Sequence, residues 1–295
     1  MDLRHLRYFI AVAEEGSLTV AAETRLHTAQ PSLSRQMRDL EAELGCILMT
    51  RSAKGIELTP AGRVFLDHAR VVLLQVEAAV EATRRAATPA KTSFVLGFLT
   101  GYEFEWLTAV MSIMRDELPS TEVVILSLSS PDLADGLMRG KIDLAFLRRE
   151  PNTVGVVFTH LREEPLIVLM RADHRLAARA AITPDDIGGE QLVGVPYEKS
   201  PVLRSITDAY GAQIRTDLTP NHLVDNLSMA ISLVASTGGI ALMPLYARNL
   251  LPPTVIGRAL AVASPMIDLS LGYNEANTSP LLASIIARIG DLKFA

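Results

Sequence analysis

Residues 28–45 read Thr28-Ala29-Gln30-Pro31-Ser32-Leu33-Ser34-Arg35-Gln36-Met37-Arg38-Asp39-Leu40-Glu41-Ala42-Glu43-Leu44-Gly45. Leu33, Met37, Leu40 and Leu44 are separated by four, three and four residues, which is the period of a helix with one buried face. Thr28 is expected as its N-cap, Pro31 is tolerated in the first turn, and Gly45 closes it. The opposite stripe carries Gln30, Ser34 and Arg38 one turn apart, with Arg35 beside them. Glutamine pairs with the edge of adenine and arginine with guanine or phosphate, so the stripe suits a helix lying in a DNA major groove. An ordinary solvated helix face has the same composition, and spacing alone leaves both readings open.

Upstream, Leu3, Leu6, Ile10 and Ala13 predict a helix over about 3–14, stopped by Gly16 with Ser17 as the next cap. Leu18, Ala21, Ala22 and Leu26 continue to a turn at His27. Downstream, Ile47, Leu48, Ile56 and Leu58 flank a Lys54-Gly55 turn and predict a β-hairpin, a wing on the helical trio. Thr59-Pro60 then opens a helix to about Ala87, roughly 40 Å long. Its apolar seam, Phe65, Ala69, Val72, Val76, Ala79 and Thr83, suits either a dimer contact or packing on its own domain. Thr88-Pro89-Ala90-Lys91-Thr92 breaks that helix and serves as a linker. Strands expected over 93–99, 122–127, 142–147, 191–195 and 239–243 then alternate with helices near 103–117, 131–139, 200–211, 226–236 and 279–291. This alternation predicts an α/β domain with mainly parallel sheets. The stretch Arg162-Glu163-Glu164-Pro165 reads as a hinge between two lobes.

At 295 residues the chain is long enough for several cores. Charged or polar residues interrupt every apolar run before it reaches the ~18 residues of a membrane span. Charged residues Asp2, Arg4, Arg7, Glu14 and Glu15 interrupt the first apolar stretch, so no signal peptide is expected. The single cysteine, Cys46, cannot form an internal disulfide, and a cytoplasmic location is expected. The net charge of −5 counts against a DNA binder unless the bases share one face. Histidines 5, 27, 68, 160, 174 and 222 include no pair spaced for a metal, and no nucleophile elbow, P-loop or dinucleotide fingerprint occurs. Neither cofactor nor catalytic residue is expected. Asp185-Asp186 reads as a helix start.

The stretches Leu3-Arg4-His5-Leu6-Arg7-Tyr8-Phe9, Gly16-Ser17-Leu18, Gln30-Pro31-Ser32-Leu33-Ser34-Arg35, Leu40-Glu41, Leu44-Gly45, Arg51 and Leu58-Thr59-Pro60-Ala61-Gly62 together resemble the DNA-binding domain of LysR-type transcriptional regulators. The length and element order of the remaining chain fit the same family, and the nearest look is to regulators of aromatic-acid catabolism of the benzoate, muconate and phenylpropionate type. The resemblance implies a winged helix-turn-helix domain (1–59), a dimerising linker helix (60–88) and a two-lobed effector domain like a periplasmic binding protein (89–295). Lobe I would span about 93–161 and 266–295, and lobe II about 162–265. It implies double-stranded DNA, a small-molecule effector and a homodimer or homotetramer as partners, with no membrane. Gln30, Pro31, Ser34 and Arg35 would meet the groove and backbone, and Arg38, on the same stripe by its spacing, is expected beside them. Arg51 and Lys54 would set the wing against DNA, Lys54 standing where the family usually has arginine.

In the effector domain the resemblance implies contacts from Thr100, Gly101, Ser129, Ser130 and Arg148 of one lobe, and from Pro196, Tyr197, Lys199, Ser200 and Asn226 of the other. Hydroxyls at helix starts suit a carboxylate. Gly101 departs from the serine common in the aromatic-acid subgroup, and Thr237-Gly238-Gly239 departs from the usual glycine-variable-glycine turn. A solute-binding protein would be expected to have a signal peptide and no helix-turn-helix. A two-lobed enzyme would be expected to show clustered titratable groups, whereas these candidates are mostly hydroxyls.

Overall fold

Asp2 opens the first helix, α1 (Leu3–Glu15), by accepting the N–H groups of Arg4 and His5, and Gly16 in the left-handed region closes it. The structure is a computed structural model that describes residues 1–52, 55–87, 93–119, 121–151, 153–262 and 264–292. Two units separate, Met1–Arg84 and Arg85–Ala295.

In the first unit Ser17 caps α2 (Leu18–Val20), which runs on as a π-helical stretch, Ala21–Arg25. The α3 helix (Gln30–Leu44) buries Leu33, Met37 and Leu40 against Phe9, Val12 and Ala22. Its N-cap position is Ala29, with no side-chain cap, so the expected Thr28 cap is not formed. The reason is the turn before it: His27 adopts φ 46, and the Thr28 N–H turns back to the Ala22 carbonyl at 3.0 Å.

Strands β1 (Met49–Ser52) and β2 (Gly55–Leu58) form the expected hairpin, pairing Met49 with Leu58 and Ser52 with Gly55. Glu41 of α3 holds its base by accepting the N–H groups of Leu48 and Met49 at 2.8 and 3.1 Å. The Ile56 N–H reaches the Gly16 carbonyl at 2.8 Å, which anchors the wing to the α1–α2 turn. Thr59 caps α4 (Pro60–Ala87), accepting the Gly62 N–H at 3.0 Å while donating to the Ile47 carbonyl. A Cβ at Gly62 would lie 2.0 Å from the Leu48 carbonyl oxygen, so only glycine lets the helix start against the wing.

Within α4, Phe65 meets Phe9 edge to face at 5.0 Å and Ala69 is buried. Further along the expected seam the cover ends: Val72 is 43% exposed, and Ala79 and Thr83 are exposed. Glu14 binds Arg25 at 2.5 Å and Arg70 at 2.7 Å, tying three helical segments together. The two arginines outweigh partial burial and hold its carboxyl below the usual range.

The second unit starts with β3 (Ser93–Leu99), α5 (Glu103–Glu117), β4 (Glu122–Leu128), α6 (Ser130–Met138) and β5 (Leu144–Leu147), the three strands being parallel. The long β6 (Val156–Arg171) comes next, then β7 (Ala181–Ile182), α7 (Pro184–Ile187), β8 (Val193–Gly194), α8 (Pro201–Ile214), β9 (His222–Leu223), α9 (Leu227–Thr237), β10 (Ala241–Pro244), β11 (Val255–Leu260), β12 (Met266–Asn274) and α10 (Pro280–Gly290). Asp186 forms a capping box with Thr183 at the start of α7.

The main sheet runs β4-β3-β5-β12-β6-β11-β7, with β10 also on β6. It is mixed rather than mainly parallel, because β6 and β12 pair antiparallel over Val156–Pro165, and β10 and β11 pair antiparallel with the rest of β6. One 16-residue strand therefore belongs to both lobes. Arg162–Pro165 lies inside that strand, paired with Met266–Leu269, and is not a loop.

Candidate DNA-reading helix and effector cleft

On the outer side of α3, Pro31, Arg35 and Arg38 are exposed, while Gln30 and Ser34 are half-buried. Arg35 forms a loose 3.9 Å pair with Asp39, and its side chain is 79% exposed. Arg38 rests its Nε on the Ser34 carbonyl at 3.4 Å. The first turn has no side-chain cap, so its backbone N–H groups remain available as anion donors, with Arg35 one turn further along. Arg51 belongs to β1; its side chain and Lys54 lie outside the described residues.

In the second unit β3, β4 and β5 end on one side of the sheet at Thr100, Ser129 and Arg148. Parallel strands open their ligand crevices at such carboxyl ends. A cleft of about 400 Å³ lies there, lined by Thr100, Ser127, Ser129, Asp132 and Arg148 of the first lobe. The second lobe contributes Lys199, Ser200, Asp225, Asn226 and Tyr246, with Val195, Leu203 and Met243 as apolar wall. Asn226 caps α9 by accepting the Met229 N–H at 3.0 Å, and Ser129 caps α6. Ser200 occupies the N-cap position of α8 without a side-chain cap bond.

Six of the expected effector residues thus share this cleft: Thr100, Ser129, Arg148, Lys199, Ser200 and Asn226. Gly101, Ser130, Pro196 and Tyr197 are not among its lining. Ser130 is buried, accepting the Arg148 N–H at 2.9 Å, and so fixes the backbone that carries the guanidinium. Gly101 has φ 102 and donates its N–H to Glu103 at 2.6 Å. Tyr197 is 53% exposed. Ser127, Asp132, Asp225 and Tyr246 are not among the sequence candidates; the first and last flank the ends of β4 and β10, where the strand-end rule that found Thr100 also points.

Beneath the cleft lies a buried polar cluster. The Tyr102 and Tyr246 rings stack at 3.9 Å, Tyr102 donates its hydroxyl to Glu164, and Glu164 also accepts the Tyr246 N–H at 2.8 Å. Tyr246 donates its hydroxyl to the Thr100 carbonyl at 3.1 Å. Burial pushes both phenols up from their ordinary value, so they are neutral donors. Arg148 lies 5.8 Å from the Tyr102 ring centre and donates to the Asp268 carbonyl at 2.6 Å. Because Glu164 stands on the shared strand β6, this cluster ties both lobes at their junction. Among the described residues no group of three or more metal-type ligands forms, and no helix is long and apolar enough to cross a membrane.

Residues 3–63 match the model of the bacterial regulatory helix-turn-helix protein, lysR family, and residues 87–292 that of the LysR substrate binding domain. The chain belongs to the LysR family of transcriptional regulators. Relatives of this LysR-type regulator include the Hca operon transcriptional activator HcaR of Escherichia coli (strain K12), 33% identical over 97% of this chain and 96% of that one. The HTH-type transcriptional regulator BenM of Acinetobacter baylyi is 31% identical over 85% of this chain and 82% of its own length. The crystal structure of full-length BenM superposes with a TM-score of 0.58 at 27% identity, covering 98% of this chain and 95% of that one. The resemblance seen in the first 65 residues therefore extends over both units, and the two-lobed fold is the family's.

Proposed function

We propose that the regulator reads double-stranded DNA with α3, through Gln30, Pro31, Ser34, Arg35 and Arg38, with the wing against the backbone, and that a small organic carboxylate held between the lobes changes how it does so. The observation that carries this reading is the cleft: a buried arginine, Arg148, lining a cavity bordered by the Ser200 hydroxyl and by the starts of two long helices, α8 and α9. A guanidinium with hydroxyl and N–H donors in a partly dry site suits a carboxylate. The working division is a DNA-binding domain over 1–59, a linker helix over 60–88 and an effector domain over 89–295, with lobe I at about 93–161 and 266–295 and lobe II at about 162–265. The exposed second half of α4 pairs with a second copy to give a cytoplasmic homodimer, and effector domains can pair again to a tetramer. The effector shifts an existing equilibrium between arrangements of the oligomer, altering half-site spacing.

The test is an anisotropy titration of the full-length protein against the DNA upstream of its own gene, at stated salt, with unrelated DNA as competitor. Saturable binding that survives competitor and changes when a carboxylate panel is added is the expected outcome. Binding that competitor abolishes equally would refute the reading.

A further inference from the structure

We infer that the effector carries one carboxylate and one cationic group, an amino-acid-like zwitterion, and is not a dicarboxylate; this rests on the carboxylate reading above and narrows it. Several donors of the first lobe are already taken by the chain's own oxygens. At the ends of β3 and β4, Glu103 accepts the Gly101 N–H at 2.6 Å and the Ser127 hydroxyl at 3.0 Å. Ser129 donates its hydroxyl to Asp132 at 2.5 Å, and the Thr100 hydroxyl donates to the Leu128 carbonyl at 3.3 Å. The first-lobe wall that would greet an anion with hydroxyls instead presents carboxylate and carbonyl oxygens.

The charges lining the cleft point the same way. They are Arg148 and Lys199 against Asp132 and Asp225, with Glu103 immediately behind Ser127. Lys199 is partly neutralised by Asp132 at 3.5 Å. Asp225 is exposed to the cleft and has no ion-pair partner among the described residues. One anionic group can be matched by buried Arg148 together with Ser200 and the start of α8. A second would find no free cation among the described lining residues and would meet Asp225 instead, and leaving a charge unmatched in a partly desolvated site is unfavourable. A cationic group beside Asp225 completes the match.

The measurement uses the full-length protein and three rigid probes of similar size: 4-(aminomethyl)benzoate, a zwitterion; terephthalate, a dianion; and 4-methylbenzoate, a monoanion. Dissociation constants come from calorimetry, with thermal-shift assays alongside. The zwitterion should bind about five- to tenfold tighter than 4-methylbenzoate, as expected for one partly screened charge pair, and terephthalate weakest. Asp225→Asn should erase the zwitterion's advantage over 4-methylbenzoate and narrow the deficit of terephthalate, and its ligand-free melting temperature should match the parent's because the side chain is exposed. Terephthalate binding as tightly as the zwitterion, or an advantage that survives Asp225→Asn, overturns this inference and leaves the carboxylate reading standing. No binding by any of the three, nor by a wider carboxylate panel, overturns both.

Discussion

Replacing Gly101 by alanine tests whether the turn after β3, beside the buried Tyr246 ring, leaves room for a side chain. Gly101 has φ 102, a conformation unfavourable for any L side chain, and the strain is worth roughly 1–3 kcal/mol. A Cβ would also lie 2.7 Å from Tyr246 Cε2 and 2.9 Å from Leu250 Cδ1. The Tyr246 ring is buried and stacked on Tyr102, so it cannot withdraw freely; overpacking of this kind adds about 1–3 kcal/mol. Gly189 supplies the control, with φ 87 and no atom within 4 Å of its added Cβ, so Gly189→Ala carries backbone strain alone. For a unit of this size 1 kcal/mol lowers the melting temperature by about 2–4 °C. Gly101→Ala should therefore melt at least about 2 °C below Gly189→Ala, monitored by far-ultraviolet circular dichroism through the transition of the second unit. Equal melting temperatures would refute the crowding argument. Gly101→Ser should behave like Gly101→Ala, since its Cβ meets the same atoms.

Arg35→Ala should leave stability within about 0.5 kcal/mol, since the side chain is exposed, while weakening operator binding by about 1–3 kcal/mol and lowering the salt slope in an anisotropy series; undiminished specific binding would remove α3 as the reader. Val72→Glu places a charge on the uncovered part of α4 and should shift sedimentation velocity toward monomer, an unchanged distribution arguing that this face is not the dimer contact. Ser130→Ala leaves the Arg148 N–H without its 2.9 Å acceptor and should lower stability by about 1–3 kcal/mol and blunt the inducer response without weakening DNA binding; an unchanged response would take Ser130 out of the effector pathway. Glu150 is buried, and burial, offset only in part by the Ser130 hydroxyl and Arg148, pushes its carboxyl up. Its folded form then holds a proton that the unfolded chain releases near 4.5, so stability falls as pH rises from there through the raised value. Glu150→Gln should accordingly be more stable than the parent in urea unfolding at pH 7, with the difference gone below about pH 4.5; a parent that is the more stable at pH 7 would contradict this.

The first unit was legible because its helices obey a 3.6-residue period and stop at Gly16 and Gly45, both left-handed. The Thr28 cap failed for a reason no period reveals: the positive φ at His27 turns Thr28 back toward Ala22, and the helix begins one residue later, after Ala29. In the second unit β6 was hidden because Arg162, Glu163, Glu164 and Pro165 interrupt its apolar pattern. Those residues are polar in mid-strand since Arg162 pairs with Glu105 and Glu164 accepts two bonds from the tyrosine pair; the hinge reading caught the place where lobes meet but not that a strand crosses it. The cleft was legible at strand ends and helix starts, where Thr100, Ser129 and Asn226 stand. Tyr246 follows a strand end and Asp225 precedes the Asn226 cap, so the same rule points to their neighbourhoods; that these ends converge on one cleft is set by tertiary approach, which leaves no trace in local spacing.

Tertiary placement also resolves the charge objection raised by the sequence. Several acids of the first unit are occupied within it: Asp2 caps α1, Glu14 binds Arg25 and Arg70, and Glu41 holds the wing by two N–H groups. Each of these carboxylates is matched by cations or backbone N–H groups of the unit itself. Arg35 and Arg38 on α3 are exposed on a helix whose start is uncapped, and the Asp39 carboxylate approaches Arg35 no closer than 3.9 Å. If α3 reads DNA as proposed, Arg35, Arg38 and the helix start supply positive charge at that face, and charges farther away than a Debye length of about 8–10 Å contribute little to the potential there.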